Sequence, residues 1–428
     1  MKTLLITLLT ILTITAQANV LEIHQWTTKN GTPVYFVKSD SLPMLDMAIK
    51  FRAGSAYDGK RHGLAQLTNN LIGEGSEQHS ADNIAARFDN MGAQLGNSVD
   101  RDGAVISLRT LTNKKVMADA LSLFTNVLSR PTFPNASVQQ LRNQQLVAIQ
   151  MRAQNPSALA SNALYKTIFG ESAYGYTVLG QANIVKSFTH DDALRFYAQH
   201  YTARNATLAI VGDVSLKQAK AMADTLTKAL QPGQLLTAPD VTLSPTGKHA
   251  HIKFPGPQAT LYIGEAGLNH NNKDYMNVLV GNQILGGGMS SLLFQNVREK
   301  HGLSYGVGSG NMPLLSRGIF LIAGQTQNKT TAQAINVMLS TAGMFIAKGP
   351  TAAELKQAQD SLVNSFPLRF DSNAAILQNI LYLGFYHLPV NYFDTFTSRV
   401  KAVKATDIRH AFAKHFHVKQ MNVVIVGS

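Results

Sequence analysis

The sequence predicts a protein of the α+β class, with mixed α/β content, built as two similar halves that each combine a mixed or antiparallel sheet with covering helices. Three observations support this prediction. The chain has 428 residues, which is enough for two or three domains. Long helical patterns alternate with pairs of strand patterns along the chain. The segment 191–212 also resembles the segment 406–427 in residue type and order.

The first half begins with strands and continues with helices. Residues 34–37 and 44–51 are rich in β-branched, aromatic and other apolar residues, and polar residues with Pro43 separate them. Leucines at helical spacing follow, and the same kind of spacing recurs further along the chain. The patterns predict helices over 63–72, 81–90, 113–128 and 137–154, with a strand pair over 94–111.

The two similar segments indicate an internal duplication. A shift of 215 residues places Asp192 on Asp407 and His200 on His415, and each segment reads as a helix, an aromatic turn and an apolar strand that ends in glycine. The proline-containing stretch 231–247 predicts a linker between the halves. We therefore expect an N-terminal domain over 19–230 and a C-terminal domain over 248–428.

Composition and charge exclude several classes of protein. Charged residues make up 15% of the chain and hydrophobic residues 45%, which excludes a disordered or coiled-coil protein. The chain contains no cysteine, so disulfides, thiol nucleophiles and cysteine-ligated metal sites are excluded. The formal net charge of +13 favours anionic surroundings such as envelope surfaces or acidic peptides, and we expect no nucleic-acid partner.

The first eighteen residues predict export. Lys2 precedes a short apolar stretch, and Ala16-Gln17-Ala18 has the small-residue spacing of a signal-peptide cleavage site. The stretch is shorter than the roughly 20 residues that span a bilayer, and no comparable run follows it. We therefore expect a cleaved signal peptide over residues 1–18, a periplasmic mature protein and no integral membrane span.

Five segments, in the right order over about 250 residues, resemble signatures of the M16 family of zinc peptidases, the inverzincins. The segment 61–71 resembles the helix that carries the metal-binding His-x-x-Glu-His sequence in that family. The other four segments are 169–180, 202–214, 286–291 and 298–305. The resemblance implies that each half of the chain is an M16-type domain.

The family's zinc ligands are replaced in this chain. The two histidines of the motif fall on Gln66 and Asn70, and the glutamate that acts as a base falls on Asn69. The third ligand, a glutamate on a later helix, falls on Leu141, and residues 78–170 contain no Glu. Amides are poor zinc ligands, and an Asn cannot act as a general base. The resemblance therefore implies no metal, no cofactor and no peptidase activity in this chain alone.

Two further features bear on a metal site. Helical spacing places the three amide positions on one face of the predicted helix, opposite its leucine stripe, so the geometry of a site is expected to survive without its ligands. Other histidines are close in sequence, such as His249 and His251, or His410, His415 and His417. None of these groups has the spacing of a known ligand set, and solvated or core-edge histidines are the favoured interpretation.

A second constellation of the family is retained. The segment 294–305 fits the pattern Arg-Glu-x-x-Gly-Leu-x-Tyr, and its Arg and Tyr are Arg298 and Tyr305. In the family this pair holds the carbonyl or terminal carboxylate of the substrate and stabilises the tetrahedral intermediate. The chemistry is reasonable, because Arg offers a fork of charged donors and Tyr offers a hydroxyl. The structural alternative is an exposed helix-end Arg beside a packed strand Tyr.

The resemblance implies a non-catalytic, substrate-binding subunit of an exported zinc peptidase. A zinc-bearing M16 sibling subunit would be its partner and would carry the only zinc, and peptide would add as a strand to a sheet edge near residues 96–108. Two alternatives stay open. The chain is then either a scaffold of the envelope with no peptidase role or a peptide-binding homodimer that acts without a sibling.

Overall fold

The computed structural model describes residues 20–428. The predicted signal peptide over residues 1–18 lies outside the described residues. The described chain folds into two mixed sheets with helices packed on them, which confirms the predicted fold class. In this part of the chain no helix combines the length and the apolar character that a bilayer crossing requires.

The first sheet has six strands in the order β1-β2-β6-β3-β5-β4. Strands β2 and β6 run parallel, and the other neighbouring strands run antiparallel. Strand β4 is an edge strand, paired on one side with β5. The strands are β1 (His24–Thr27), β2 (Pro33–Lys38), β3 (Met44–Phe51), β4 (Gln94–Val99), β5 (Ala104–Leu111) and β6 (Ala206–Gly212).

Several helices of the first half begin at a side chain that caps them. Ser80, Thr189 and Ser215 each accept a hydrogen bond from a backbone N–H in the first turn of α2, α7 and α8, respectively, and so satisfy groups that a helix end leaves free. The helices are α1 (Leu64–Asn70), α2 (Ala81–Asn90), α3 (Lys114–Ser129), α4 (Asn135–Arg152), α5 (Pro156–Phe169), α6 (Ala182–Val185), α7 (His190–His200) and α8 (Leu216–Lys228).

The second sheet repeats the plan of the first. Its order is β7-β11-β8-β10-β9, with β7 and β11 parallel and the other neighbours antiparallel. Counted from β2, the first sheet has the same order and the same directions, as a duplication predicts. The strands are β7 (His249–Lys253), β8 (Gln258–Ala266), β9 (Val307–Met312), β10 (Ile319–Gln327) and β11 (Asn422–Gly427).

Six α-helices and one π-helical segment complete the described second half. The π-helical segment, Phe294–Lys300, lies between the first of these helices and the edge strand β9. Segments of π-helix are rare in proteins, and those that occur are often found at functional sites. The helices are α9 (Tyr275–Gly286), α10 (Thr331–Lys348), α11 (Ala352–Ser365), α12 (Asn373–Phe385), α13 (Phe396–Ala402) and α14 (Ala405–His415).

Each sheet carries a helix from the other half on one of its faces. Helix α12 packs on β2, β3 and β6 of the first sheet, and α5 packs on β8 and β11 of the second. Successive residues of β2 therefore enter different cores: Val34 and Phe36 pack with first-half helices, whereas Tyr35 and Val37 belong to the core that contains α12. At Gly384 of α12, a Cβ atom would overlap the Tyr35 ring, so this crossing requires glycine.

A buried carboxylate also joins the halves. Asp102, in the turn between β4 and β5, accepts hydrogen bonds from the Tyr174 hydroxyl at 2.5 Å, the Tyr386 hydroxyl at 3.0 Å and the Leu315 N–H at 2.9 Å. The last two donors belong to the second half. Burial raises the pKa of Asp102, and the three hydrogen bonds oppose that rise. The predicted linker, residues 231–247, contains no helix or strand. The domain boundaries on either side of it stay a prediction.

Candidate functional site

The helix that aligns with the family's metal-binding motif is α1, and a buried aspartate caps it. Asp58 accepts hydrogen bonds from the N–H groups of Gly63 at 2.6 Å and Ala65 at 2.7 Å. Burial raises the pKa of Asp58 to about 8, and the two backbone bonds act against that rise. Gly63 has a φ of 100°, which favours glycine, so the chain enters α1 through a left-handed residue.

Two of the three amide positions on α1 bond to each other. The Gln66 side chain donates from Nε2 to Oδ1 of Asn70 at 3.0 Å, and both residues are half-buried. This is the usual pairing of residues four apart on a helix. At the positions where the family has two imidazoles that bind zinc, this helix has two amides that hydrogen-bond to each other.

The third amide, Asn69, is fully buried and connects α1 to the sheet. Its Nδ2 donates to the carbonyl oxygens of Ser98 at 3.1 Å and Val105 at 3.4 Å, on β4 and β5. Its Oδ1 accepts from the Tyr201 hydroxyl at 2.9 Å, and its backbone carbonyl accepts from Asn97 at 2.6 Å. The face of α1 that carries the three amide positions is therefore partly closed, because Asn69 packs against the sheet while Gln66 and Asn70 stay half-buried.

Helix α4 lies beside α1 and carries the position that aligns with the third ligand. Ser137 donates to the Glu74 carbonyl at 3.5 Å, just beyond the C-terminal end of α1, and Gln145 donates to the Gly63 carbonyl at 2.9 Å at the other end. Leu141 is midway between them on the same stripe of α4, alongside the middle of α1, and packs against the core of the first half. Its alignment with the ligand stays a prediction.

These residues do not suit a zinc ion. The four positions that align with the zinc ligands and the base hold three amides and a leucine. Every one of these amides is hydrogen-bonded within the fold. Within residues 20–428 no group of three or more His, Asp or Glu side chains is arranged to hold a metal ion. The C-terminal histidines have carboxylate neighbours instead: His415 lies 2.7 Å from Asp274, and His417 lies 3.7 Å from Glu265.

The structure brings Arg298 and Tyr305 together in the second half. The guanidinium carbon of Arg298 lies 4.6 Å from the centre of the Tyr305 ring and 4.8 Å from the centre of the Phe294 ring, in the range of cation–π contacts. The Tyr305 side chain is 85% exposed. Among the described residues, neither the guanidinium nor the Tyr305 hydroxyl has a hydrogen-bond or ion-pair partner. Both groups can therefore donate to a ligand.

The two features lie in different halves of the chain. Helix α1 packs on β4 and β5 of the first sheet, whereas the π-helical segment with Arg298 packs beside β9 of the second. No hydrogen bond among the described residues joins them. The role that the resemblance implies for the Arg298–Tyr305 pair stays a prediction.

Comparison with known proteins identifies the family. The model described as "Insulinase (Peptidase family M16)" matches residues 36–182, and the one described as "Peptidase M16 inactive domain" matches residues 187–362. The crystal structure of a peptidase M16 inactive domain from Pseudomonas fluorescens is 35% identical, with a TM-score of 0.91, and the match covers 95% of this chain and 98% of that one. This chain belongs to the M16 peptidase family.

Two M16 relatives carry different names. The non-peptidase homolog YmxG of Helicobacter pylori is 25% identical over 435 residues, covering 100% of this chain and 99% of the relative. An uncharacterized zinc protease of Rickettsia bellii is 28% identical over 304 residues, covering 70% of this chain and 72% of the relative. Similarity to M16 proteins therefore extends over the full length of this chain.

On its own, this M16 chain is not a peptidase. Its motif positions hold amides in place of the zinc ligands and the base, and both the model matched in its second half and the Pseudomonas fluorescens structure are described as inactive. Zinc-dependent hydrolysis requires a metal-activated water and a base to take its proton, and Gln66, Asn69 and Asn70 supply neither.

Sequence reasoning did not find several residues that organise this M16 site. Asp58, Asn97, Gln145 and Tyr201 hold α1 through hydrogen bonds, and three of these four lie more than twenty residues from it. Only Asp58 carried a local signal, since an acidic residue shortly before a helix often caps it. The others act through tertiary contacts that no local pattern records.

Proposed function

We propose that this chain is the peptide-binding, non-catalytic subunit of an exported M16-type zinc peptidase, in which it completes the active chamber of a zinc-bearing sibling subunit. One contrast supports this proposal. The amides at the former ligand positions are engaged within the fold, whereas Arg298 and Tyr305 are stacked on each other with free donors. A guanidinium fork and a phenol hydroxyl can together hold a peptide carbonyl or carboxylate.

The relatives support the non-catalytic part of this proposal. The full-length Helicobacter pylori relative is named a non-peptidase homolog, so an M16 chain of this length without peptidase activity has a counterpart. The proposal that a sibling subunit is required has a chemical reason. A chain that keeps substrate-binding donors and lacks a metal needs the metal and the base from another chain.

The open edge of β4 is the place where we expect the peptide to bind. An extended peptide can pair with the outer side of this strand, within the predicted stretch 96–108. Beside β4 lies a cavity of about 510 Å³ between the first sheet and α12. Gln94, Gly96 and Ser98 of β4 line it together with Leu377 and Leu381 of α12. Every second side chain of an added strand would point toward this mainly apolar cavity.

The test is peptide hydrolysis by a complex of this chain with a zinc-bearing M16 sibling from the same cell. Arg298→Ala should lower kcat/KM of the complex by about 10²–10³-fold, the usual effect of losing a donor to a transition-state oxygen. Tyr305→Phe should cost less, because a neutral donor is weaker than a charged one. The double variant should lose less than the product of the two losses, since both residues hold one group.

Lys300→Ala is the matched control, because it removes one positive charge from the same π-helical segment without touching the Arg298–Tyr305 pair. Melting temperatures and subunit association should be unchanged in all variants. If Arg298→Ala leaves hydrolysis by the complex unchanged, the scaffold function is favoured instead. If the isolated chain binds peptide as a dimer of itself, measured by light scattering and titration, the carrier function is favoured.

We also propose that the protein is exported to the periplasm. The Ala16-Gln17-Ala18 sequence supports cleavage after Ala18, so the mature protein should begin at Asn19. N-terminal sequencing of the protein from the native envelope fraction tests this proposal. A cytosolic pool that retains Met1 would contradict it.

A further inference from the structure

A second cavity lies in the second half and shares two wall residues of α12, Gln378 and Tyr382, with the cavity beside β4. It has a volume of about 290 Å³ and is bounded by the start of α9, by α12 and by the residues that lead into α13. Tyr392, Phe393 and Phe396 form an aromatic wall, and Leu279 contributes apolar surface. Polar and apolar side chains line this cavity in similar measure, and its volume suits a small ligand.

The polar groups of this cavity are the Arg369 guanidinium, tyrosine hydroxyls and the side-chain amides of Gln378 and Asn379. Arg369 lines it and stacks on Phe396, with its guanidinium carbon 5.1 Å from the ring centre. The guanidinium forms no ion pair or hydrogen bond with any residue of 20–428. Tyr275 also lines the cavity, and its hydroxyl has no hydrogen-bond partner among residues 20–428. No Asp or Glu is among the described residues that line the cavity.

A second guanidinium strengthens the positive potential. Arg399 stacks on the Tyr392 ring at 4.8 Å. Arg369 and Arg399 both lower the pKa of the Tyr275 and Tyr392 hydroxyls, although burial is the larger effect and raises both. Two cations without a carboxylate partner therefore act on the same two hydroxyls. An anion that enters the cavity would meet the Arg369 guanidinium, which lines it, and the positive potential of Arg399 behind the wall.

We propose that this cavity binds a small carboxylate with an aromatic body. The Arg369 fork matches the two oxygens of a carboxylate, and the Tyr275 hydroxyl adds a third donor. Phe393 and Phe396 are buried, so the aromatic surface open to a ligand ring is that of Tyr275 and Tyr382, which are partly exposed. The carboxylate belongs either to a free aromatic acid or to the C-terminus of a peptide that ends in an aromatic residue. The proposal does not rest on the function proposed above.

The test is titration of the full mature chain with phenylacetate, followed by calorimetry and ligand-observed NMR. We expect saturable binding that weakens at least about tenfold in Arg369→Gln, the effect of losing a charge-assisted hydrogen bond. Arg369 is exposed, so this variant should fold. Tyr275→Phe removes the hydroxyl alone and should weaken binding less. Arg130→Gln is the matched control, because it removes the same charge from an exposed arginine of the first half.

Three further ligands test the contributions of the carboxylate charge and of the aromatic ring, and distinguish a free acid from a peptide C-terminus. Phenylacetamide, which lacks the charge, and inorganic phosphate, which lacks the ring, should both bind much more weakly than phenylacetate. Acetyl-Ala-Ala-Phe with a free carboxylate should bind more tightly than phenylacetate if the source is a peptide C-terminus, and less tightly if it is a free acid. No saturable binding of phenylacetate, equal binding by Arg369→Gln, or equal binding of phenylacetamide or phosphate would overturn the proposal.

Discussion

Asn69→Asp changes one buried amide nitrogen to oxygen and tests whether Asn69 holds α1 to the sheet. In the wild type, Nδ2 of Asn69 donates to the carbonyl oxygens of Ser98 and Val105, while Oδ1 accepts from the Tyr201 hydroxyl. An ionised carboxylate would face the two carbonyl oxygens in a site closed to water. The new carboxyl group should therefore stay protonated and donate to one of them.

The magnitude follows from two contributions. The second carbonyl loses its hydrogen bond, which costs about 1 kcal/mol. Keeping the carboxyl group protonated at pH 7, against an unfolded-state pKa of about 3.9, adds about 4 kcal/mol. We expect Asn69→Asp to lower the free energy of unfolding by about 5 kcal/mol at pH 7, which is comparable with the whole stability of many domains.

The pH dependence gives the sharper test. The folded-state pKa of the new carboxyl group lies above its unfolded value, so the ionisation cost is absent below about pH 4 and grows by about 1.4 kcal/mol for each pH unit above it. Urea unfolding of wild type and variant between about pH 4.5 and pH 7.5 measures this difference. Protein purified near pH 5 should still be folded.

Asn70→Asp is the matched control on the same helix. Asn70 is half-buried and accepts a hydrogen bond from Gln66, which a carboxylate accepts equally well, so this change should cost less than about 1 kcal/mol. A difference between Asn69→Asp and wild type that stays constant with pH would refute the reasoning. Equal losses for the two variants would refute it as well.

Two further predictions follow from the packing around α1 and α12. The combined change Gln66→His, Asn69→Glu and Asn70→His should not create a stoichiometric zinc site. Helix α4 supplies no carboxylate, and the new glutamate would face two carbonyl oxygens. Elemental analysis after dialysis measures the zinc content, and one tightly held zinc per chain would contradict this prediction. Gly384→Ala should lower the melting temperature through a loss of about 1–3 kcal/mol, because the added methyl group meets the Tyr35 ring between the halves; an unchanged melting temperature would contradict this.

Much of the fold was predictable because local patterns carry it. The strand over 44–51 and the helix over 81–90 match β3 and α2 in full, since periodicity and capping residues mark them. The predicted helices over 113–128 and 137–154 match α3 and α4 to within two residues at each end. The duplication was also readable, since repeated sequence produces repeated topology.

The sequence by itself determined the family and the loss of the zinc chemistry, because a ligand is a residue type at a fixed spacing and Gln66, Asn69 and Asn70 are the wrong types. Only the tertiary structure decided what these amides do instead. Asn69 bonds to Tyr201, 132 residues away in sequence, and the packing of α12 on β2 joins segments that are further apart still. Periodicity predicts which face of a helix or strand is buried, but it does not predict which other segment packs on that face, because that depends on contacts between residues far apart in sequence.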